Sequence, residues 1–234
     1  MTPRIVEVRQ NVLQKNDLLA QSLRTRFAEA GVLVVSLVSS PGAGKTALLQ
    51  RTLSELRVTH RVAALVGDLA TDRDAERLRG SGVPVRQITT GTVCHLDAQM
   101  VDIALADWDL SALDLLFIEN VGNLVCPASY DLGEHARVVL LSVTEGEDKP
   151  LKYPTIFNTA DVAVITKIDL VEAAGFNRDE ALANIQRARP GLPVIETSSR
   201  MAHGLANWFE WLGAAAQRDS TITAKNYAFA STHR

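Results

Sequence analysis

Cysteine is scarce in this sequence: two residues in 234, at positions 94 and 126. Two cysteines do not make a disulfide framework in a chain of this size. The thiols are therefore expected to stay reduced and available to metal, as in the cytoplasm. An excess of charge of one sign is also missing. Twenty-four Lys and Arg stand against 27 Asp and Glu, for a formal net charge of −3 and a pI near 6.0. That balance, without a basic cluster, excludes the electrostatic footprint of a nucleic-acid binder. No stretch approaches the roughly 18 consecutive apolar residues of a membrane span, and residues 1–8 lack the apolar core of a secretory signal. No repeat, low-complexity tract or Pro/Gly linker divides the chain. What remains is a cytoplasmic protein of one large α/β domain, long enough to bury a sizeable core.

What is present is concentrated at Ser39-Ser-Pro-Gly-Ala-Gly-Lys-Thr46. The residues before it, Val32-Leu-Val-Val-Ser-Leu-Val38, form an apolar, β-branched run that reads as a buried parallel strand. The residues after it, Ala47-Leu-Leu-Gln-Arg-Thr-Leu-Ser-Glu-Leu56, are good helix formers with helical apolar spacing. Strand, glycine-rich turn and helix together form a phosphate cradle. Pro41, Gly42, Ala43, Gly44, Lys45, Thr46 and Ala47 are expected to surround a nucleotide's phosphates with backbone N–H groups and the positive end of a helix dipole. Lys45 is expected at the β- and γ-phosphates, and the Thr46 hydroxyl on magnesium. The P-loop pattern wants glycine where this chain has Ser39.

Further along, apolar runs ending near Asp68, Thr89, Asn120, Val143, Thr166 and Thr197 alternate with helical stretches. Alternation of this kind predicts a P-loop NTPase fold, a mostly parallel sheet with helices on both faces. Residues 1–30 read as an amphipathic helix, carrying Val12, Leu19, Leu23 and Phe27 on one side and ended by Gly31, packed on the domain. Residues 31–217 form the nucleotide domain, and 218–234 a mobile tail or partner arm.

Ligands of such sheets sit at the carboxyl ends of the strands. Asp68 and Glu119 end strands there and are candidates for magnesium or its waters, with Thr46. Gly122 is placed to offer its N–H to the γ-phosphate. Asp72 and Asp74 are candidates for positioning water, and no arginine is an evident partner for the transferring phosphate. Thr166-Lys-Ile-Asp169 resembles the Asn-Lys-x-Asp guanine motif. An ionised Asp169 only accepts, and guanine presents a ring N–H beside an amino group, a donor pair that adenine lacks. Lys167 is expected along base and ribose, and Ser198 and Ser199 where a loop offers N–H groups to the guanine oxygen.

Cys94, His95 and Cys126 lie in loops just past strands, at the nucleotide end of the sheet. They are either two core cysteines and an ordinary histidine, or ligands for nickel or zinc. One chain supplies three ligands, so water or a second subunit would complete a tetrahedral site.

The P-loop, Gly67-Asp68, Thr90-Gly-Thr-Val-Cys-His-Leu-Asp97, Glu119-Asn-Val-Gly-Asn-Leu-Val-Cys-Pro127 and Glu145-Gly-Glu-Asp-Lys-Pro-Leu-Lys-Tyr-Pro154 resemble the hydrogenase nickel-incorporation GTPases, the HypB family of SIMIBI-class P-loop GTPases. The resemblance covers nearly the whole chain. It implies a GTP-hydrolysing metallochaperone that helps insert nickel into [NiFe] hydrogenase, binds GTP/GDP and Mg2+, and dimerises with GTP. It also implies maturation accessory proteins as partners, among them a nickel-binding chaperone, and a metal site of Cys94, His95 and Cys126 at the subunit interface. Lys149 and Lys152, otherwise read as part of a charged surface loop, would lie near that interface. The N-terminal Cys-x-x-Cys-Gly-Cys or histidine-rich segment of some members is not in this sequence. Competing readings are a related maturation GTPase serving urease or a cobalamin enzyme, a nucleotide-gated metal scaffold with incidental hydrolysis, and an ATP-using kinase. Lys167 and Asp169 speak against the last.

Overall fold

The computed structural model describes residues 3–69 and 73–218. Helix α1 (Pro3–Ala30) leads into β1 (Leu33–Ser39), α2 (Lys45–Leu56), β2 (Val62–Asp68), α3 (Arg73–Arg79) and β3 (Val85–Thr89). Next come α4 (Ala98–Ala104), β4 (Leu115–Glu119), β5 (Ala136–Ser142), α5 (Lys149–Lys152), α6 (Pro154–Asn158) and β6 (Val162–Thr166). The described chain closes with α7 (Val171–Ala174), α8 (Arg178–Ala188), β7 (Val194–Thr197) and α9 (Leu205–Arg218).

The seven strands form one parallel sheet in the order β3-β2-β4-β1-β5-β6-β7. From β1 the chain moves out to β2 and β3, returns through β4, then continues on the other side through β5 to β7. The order thus reverses around β1, and the crevice at its carboxyl end is where such sheets take ligands. Every residue of β1 and β5 is buried, as strands covered on both faces require.

Alternate residues of β1 feed different layers. Leu33, Val35 and Leu37 pack with Leu48, Leu49 and Leu53 of α2 and with Trp208 and Leu212 of α9. Val34 faces Ala20, Leu23 and Phe27 of α1 and Val101 of α4. Beyond β1, Val139, Leu141 and Ile165 pack with Ile156 and Phe157 of α6 and Ile185 of α8. Each aliphatic side chain buried in these layers contributes about 1.5–3 kcal/mol. The expected architecture, helices on both faces of a parallel sheet, holds.

Two local expectations do not. Val12 is 49% exposed rather than on the buried stripe of α1. Asn16, one turn further along the helix, is buried, and it is an anchor of a different kind. Its amide donates to Asp131 O at 2.9 Å and accepts from Ala98 N at 2.9 Å, and Val12 lies one turn before this anchored position. The segment read as a charged loop at 145–154 instead begins with a 3₁₀ turn at Val143–Glu145 and continues into α5. Ser142 and Glu145 cap the turn reciprocally, and Asp148 pairs with Lys152 across α5. Asp72 and the tail from residue 219 lie outside the described residues.

Candidate functional site

β1 delivers the chain into a turn that ends at Gly44, whose φ of 96° and ψ of 18° are left-handed. A side chain would be strained there, and α2 starts at the next residue. A cavity of about 330 Å³ opens on this turn. One wall is Pro41, Gly42, Gly44, Lys45, Thr46 and Ala47. Others are Gly67, Asp68 and Leu69 after β2, residues 119–122 after β4, and Asp74 and Arg77 of α3. The sequence-derived candidates Lys45, Thr46, Asp68, Glu119 and Gly122 therefore meet around one space. Ala43 is fully buried behind the turn.

Two ionisable groups are buried in that space. Lys45 is 7% exposed, and its ammonium donates to Ser39 Oγ at 2.9 Å. The serine that replaces the pattern's glycine thus holds the lysine. Burial pushes the Lys45 pKa down, against the opposing pull of Glu119. Glu119 is 3% exposed and accepts from the Thr46 hydroxyl at 2.6 Å. Burial pushes its pKa up to about 7, and Lys45 and the Thr46 bond only partly offset this. Its second oxygen has no hydrogen-bond partner among the described residues. A buried, unpartnered carboxylate oxygen beside a hydroxyl is a donor set that suits a hard divalent cation.

The pKa of Glu119 makes a stability prediction. The native carboxyl holds its proton to about pH 7, whereas an ordinary one releases it near 4.5. Between those values the folded state binds more protons than the unfolded one, so this group's contribution to stability falls as pH rises. The full difference is about 3 kcal/mol, from 7 − 4.5 at roughly 1.36 kcal/mol per pH unit. Glu119→Gln removes the ionisation and keeps an oxygen for Thr46. In denaturant titrations without nucleotide, the variant's stability relative to wild type should rise from pH 4.5 to 7 and level off above. A difference that stays flat with pH would contradict the assignment.

Gly122 packs directly on the turn. A Cβ there would sit 2.8 Å from Pro41 Cα, too close for any other residue without moving the P-loop. The turn is also braced from β6. Thr166, buried at the strand end, donates to Ala43 O at 2.6 Å, and Lys167 donates to Gly42 O at 2.7 Å. The threonine in the variant guanine motif therefore tethers the loop. Asp169 is exposed on a 3₁₀ turn. Ser198 is fully buried and its hydroxyl accepts from Met201 N, while Ser199 is half-buried. Lys167, Asp169, Ser198 and Ser199 lie outside the cavity lining, on the β6–β7 side of the P-loop.

The second cluster lies past β3 and β4. Cys94 Sγ and Cys126 Sγ are 3.1 Å apart, and with a His95 ring nitrogen they fall within 4.8 Å of one another. Neither cysteine is in a disulfide, and all three residues are half-buried. Burial pushes the His95 pKa down, which favours the neutral imidazole that binds metals. His95 Nδ1 has no hydrogen-bond partner among the described residues. Its ring stacks on Tyr130 at 3.9 Å. Two thiols and an imidazole suit nickel or zinc.

Several supporting residues were not visible in the sequence pattern. Asn120 Oδ1 accepts from Leu96 N at 3.0 Å and Val121 N at 2.9 Å, joining the Cys94–His95 loop to the segment after β4. Asn123 Nδ2 donates to Cys94 O at 3.2 Å. The 3₁₀ turn Cys126–Ser129 and its continuation are held by Arg137, which donates to Tyr130 O at 2.8 Å and Glu134 at 2.8 Å. A polar residue closing an apolar run was the one local sequence signal available for Asn120.

Residues 33–196 match the family model of the CobW/HypB/UreG nucleotide-binding domain, from β1 to within one residue of the end of β7. The chain is 47% identical over 222 residues to the hydrogenase maturation factor HypB of Azotobacter vinelandii, covering 95% of this chain and 73% of that protein. The chain belongs to the HypB family. Another HypB, the hydrogenase/urease maturation factor of Helicobacter pylori, is 42% identical over 211 residues, covering 88% of this chain and 86% of that one. The crystal structure of HypB from Helicobacter pylori in complex with nickel matches with a TM-score of 0.83 and 41% identity, over 90% of this chain and 99% of that one. The resemblance read from the motifs and the P-loop fold both hold. No helix among the described residues is long and apolar enough to cross a membrane.

Proposed function

We propose that this HypB-family protein is a GTP-hydrolysing metallochaperone that helps insert nickel during [NiFe] hydrogenase maturation. The observation that carries the reading is the shared connection between the two clusters. Residues 119–126 run from Glu119 in the phosphate cavity, through Gly122 against Pro41, to Cys126 beside Cys94. Loss of a γ-phosphate near Gly122 would shift a segment whose far end is a metal ligand. The nickel-bound relative and the maturation-factor names support nickel as the cargo. The donor set itself would also accept zinc.

In this reading the P-loop residues and Lys45 bind the phosphates, and Asp169 with Lys167, Ser198 and Ser199 selects guanine. Thr46, Asp68 and Glu119 would hold Mg2+, which supplies charge neutralisation for the β- and γ-phosphates. A GTP-bound homodimer, in which a second subunit completes the cysteine–histidine site and Lys149 and Lys152 approach the interface, follows from the three-ligand count and the family resemblance. Maturation accessory proteins, including a nickel-binding chaperone, would supply or receive the metal in the cytoplasm. The Helicobacter pylori relative's name gives a second reading, delivery to urease as well.

Calorimetric nickel titration tests the coupling, with GDP and with a non-hydrolysable GTP analogue, while light scattering follows oligomeric state. The two nucleotide states should bind nickel with different affinity, and the linkage must be reciprocal. Cys94→Ala or Cys126→Ala should abolish the difference without stopping nucleotide binding. Equal affinities in both states, or unchanged nickel binding in both variants, would sink the proposal.

A further inference from the structure

We propose that Arg77 is the residue that offsets the negative charge of the transferring γ-phosphate, supplied by this chain itself rather than by a partner. The inference rests on the GTP-hydrolysing reading above and adds a part that the sequence pattern did not reveal.

Lys45 and Arg77 are the cations lining the phosphate cavity among the described residues. Their situations differ. Lys45 is buried and its ammonium is engaged by Ser39. It stands at the base of the cavity, where it meets the phosphates as soon as a nucleotide binds. Arg77 enters the lining from α3, and its side chain is 56% exposed. Its ion-pair partner, Asp74 on the same helix, is 3.9 Å away, at the outer limit of a pair. So loose and exposed a contact is worth little, and the guanidinium is held near the cavity without being consumed there.

The charge balance of the cavity calls for such a group. Among the described residues its carboxyl groups are Asp68, Asp74 and Glu119. Against them stand Lys45 and Arg77, before a triphosphate adds its own negative charge. A divalent cation held by Thr46, Asp68 and Glu119 would offset part of that charge. Arg77 lines the same cavity, near enough to Glu119 for its charge to act on that carboxyl. Its planar fork keeps its charge at any working pH and matches two phosphate oxygens at once.

The step it would assist balances simply. The oxygen of water bonds to the γ-phosphorus. The bond from that phosphorus to the β–γ bridging oxygen breaks, and its electron pair stays on GDP. One proton of the water remains on the released phosphate and one passes to solvent. Arg77 stays protonated throughout and donates hydrogen bonds to oxygens whose charge grows along the way. Such donors act mainly on the transition state, so their removal lowers kcat more than it weakens ground-state binding.

The test compares wild type, Arg77→Ala, Arg77→Lys and Lys45→Ala in the full chain. Turnover, affinity for a non-hydrolysable GTP analogue, and affinity of the GDP complex for aluminium fluoride are measured in the presence of Mg2+. Arg77→Ala should lose kcat on the order of 10²-fold. It should bind the GTP analogue nearly as wild type does and lose the aluminium fluoride complex, a mimic of the transferring phosphoryl group. Arg77→Lys should recover part of both losses, because charge returns without the fork. An exposed arginine contributes little to stability, so melting should be unchanged. Wild-type turnover with Arg77→Ala equal to it overturns this proposal alone. Equal losses for the GTP analogue and the fluoride complex also overturn it, since they would make Arg77 a ground-state anchor. A wild-type protein that binds guanine nucleotide but neither hydrolyses GTP nor forms the fluoride complex overturns this proposal and the hydrolytic reading together.

Discussion

Lys45→Ala is expected to reduce GTP turnover on the order of 10³-fold while leaving the fold intact. The first half follows from position. Lys45 stands at the start of α2 on the wall of the phosphate cavity, held by Ser39 Oγ at 2.9 Å. Its charge is placed to meet the β- and γ-phosphates, and alanine leaves the phosphate charge uncompensated at that buried position. The second half follows from electrostatics. Burial pushes the Lys45 pKa down, so the folded state holds this ammonium at a cost rather than a gain. Its folded pKa lies below its unfolded one, and a group of that kind subtracts stability wherever it is protonated. Removing it should therefore leave melting temperature equal or higher even as turnover vanishes. Turnover near wild type would remove the P-loop assignment. A variant that loses activity only because it unfolds would remove the electrostatic account.

The contrast between those two halves marks what the sequence could carry. The P-loop was legible because strand, turn and helix are local, and each residue type has a local reason. The same holds for β2, β4 and β6, whose apolar runs end in Asp68, Glu119 and Thr166 within a residue of the observed bounds. What was not legible depends on contacts between distant segments. Thr166 looked like a defect in the guanine motif, and it is bonded to Ala43 O from 123 positions away. Asn120 bridges to Leu96 N, and Asn16 bridges to Ala98 N and Asp131 O. None of these partners has a fixed spacing that a pattern could detect. Val12 obeyed the helical period and is still exposed, because periodicity does not say where along α1 the domain ends. Arg77 belongs to the same class, one of several charges on α3 until the sheet brings it to the phosphate cavity.

Asp169→Asn is the second change with a large expected effect, and it separates guanine selection from every other property. Asp169 lies on the exposed 3₁₀ turn Ile168–Leu170, which follows Lys167 in the left-handed region at φ 59°. Behind that turn, Thr166 and Lys167 hold the P-loop carbonyls, so the turn is fixed relative to the phosphate site. Guanine would offer its ring N–H and amino group to the two carboxylate oxygens. Asparagine keeps one acceptor and turns an amide donor toward the amino group. Two charge-assisted bonds are lost and a donor faces a donor, which should weaken GTP binding on the order of 10³-fold. Xanthine carries a carbonyl where guanine carries the amino group. Xanthosine triphosphate should therefore bind the variant better than GTP does, reversing the wild-type order. Because the side chain is exposed, stability should stay within about 0.5 kcal/mol of wild type, and nickel binding without nucleotide should be unchanged. Competition binding with GTP, ATP and xanthosine triphosphate on both proteins measures all of this. ATP competing equally with GTP for the wild-type protein, or an unchanged nucleotide order in the variant, would show that Asp169 does not read the base.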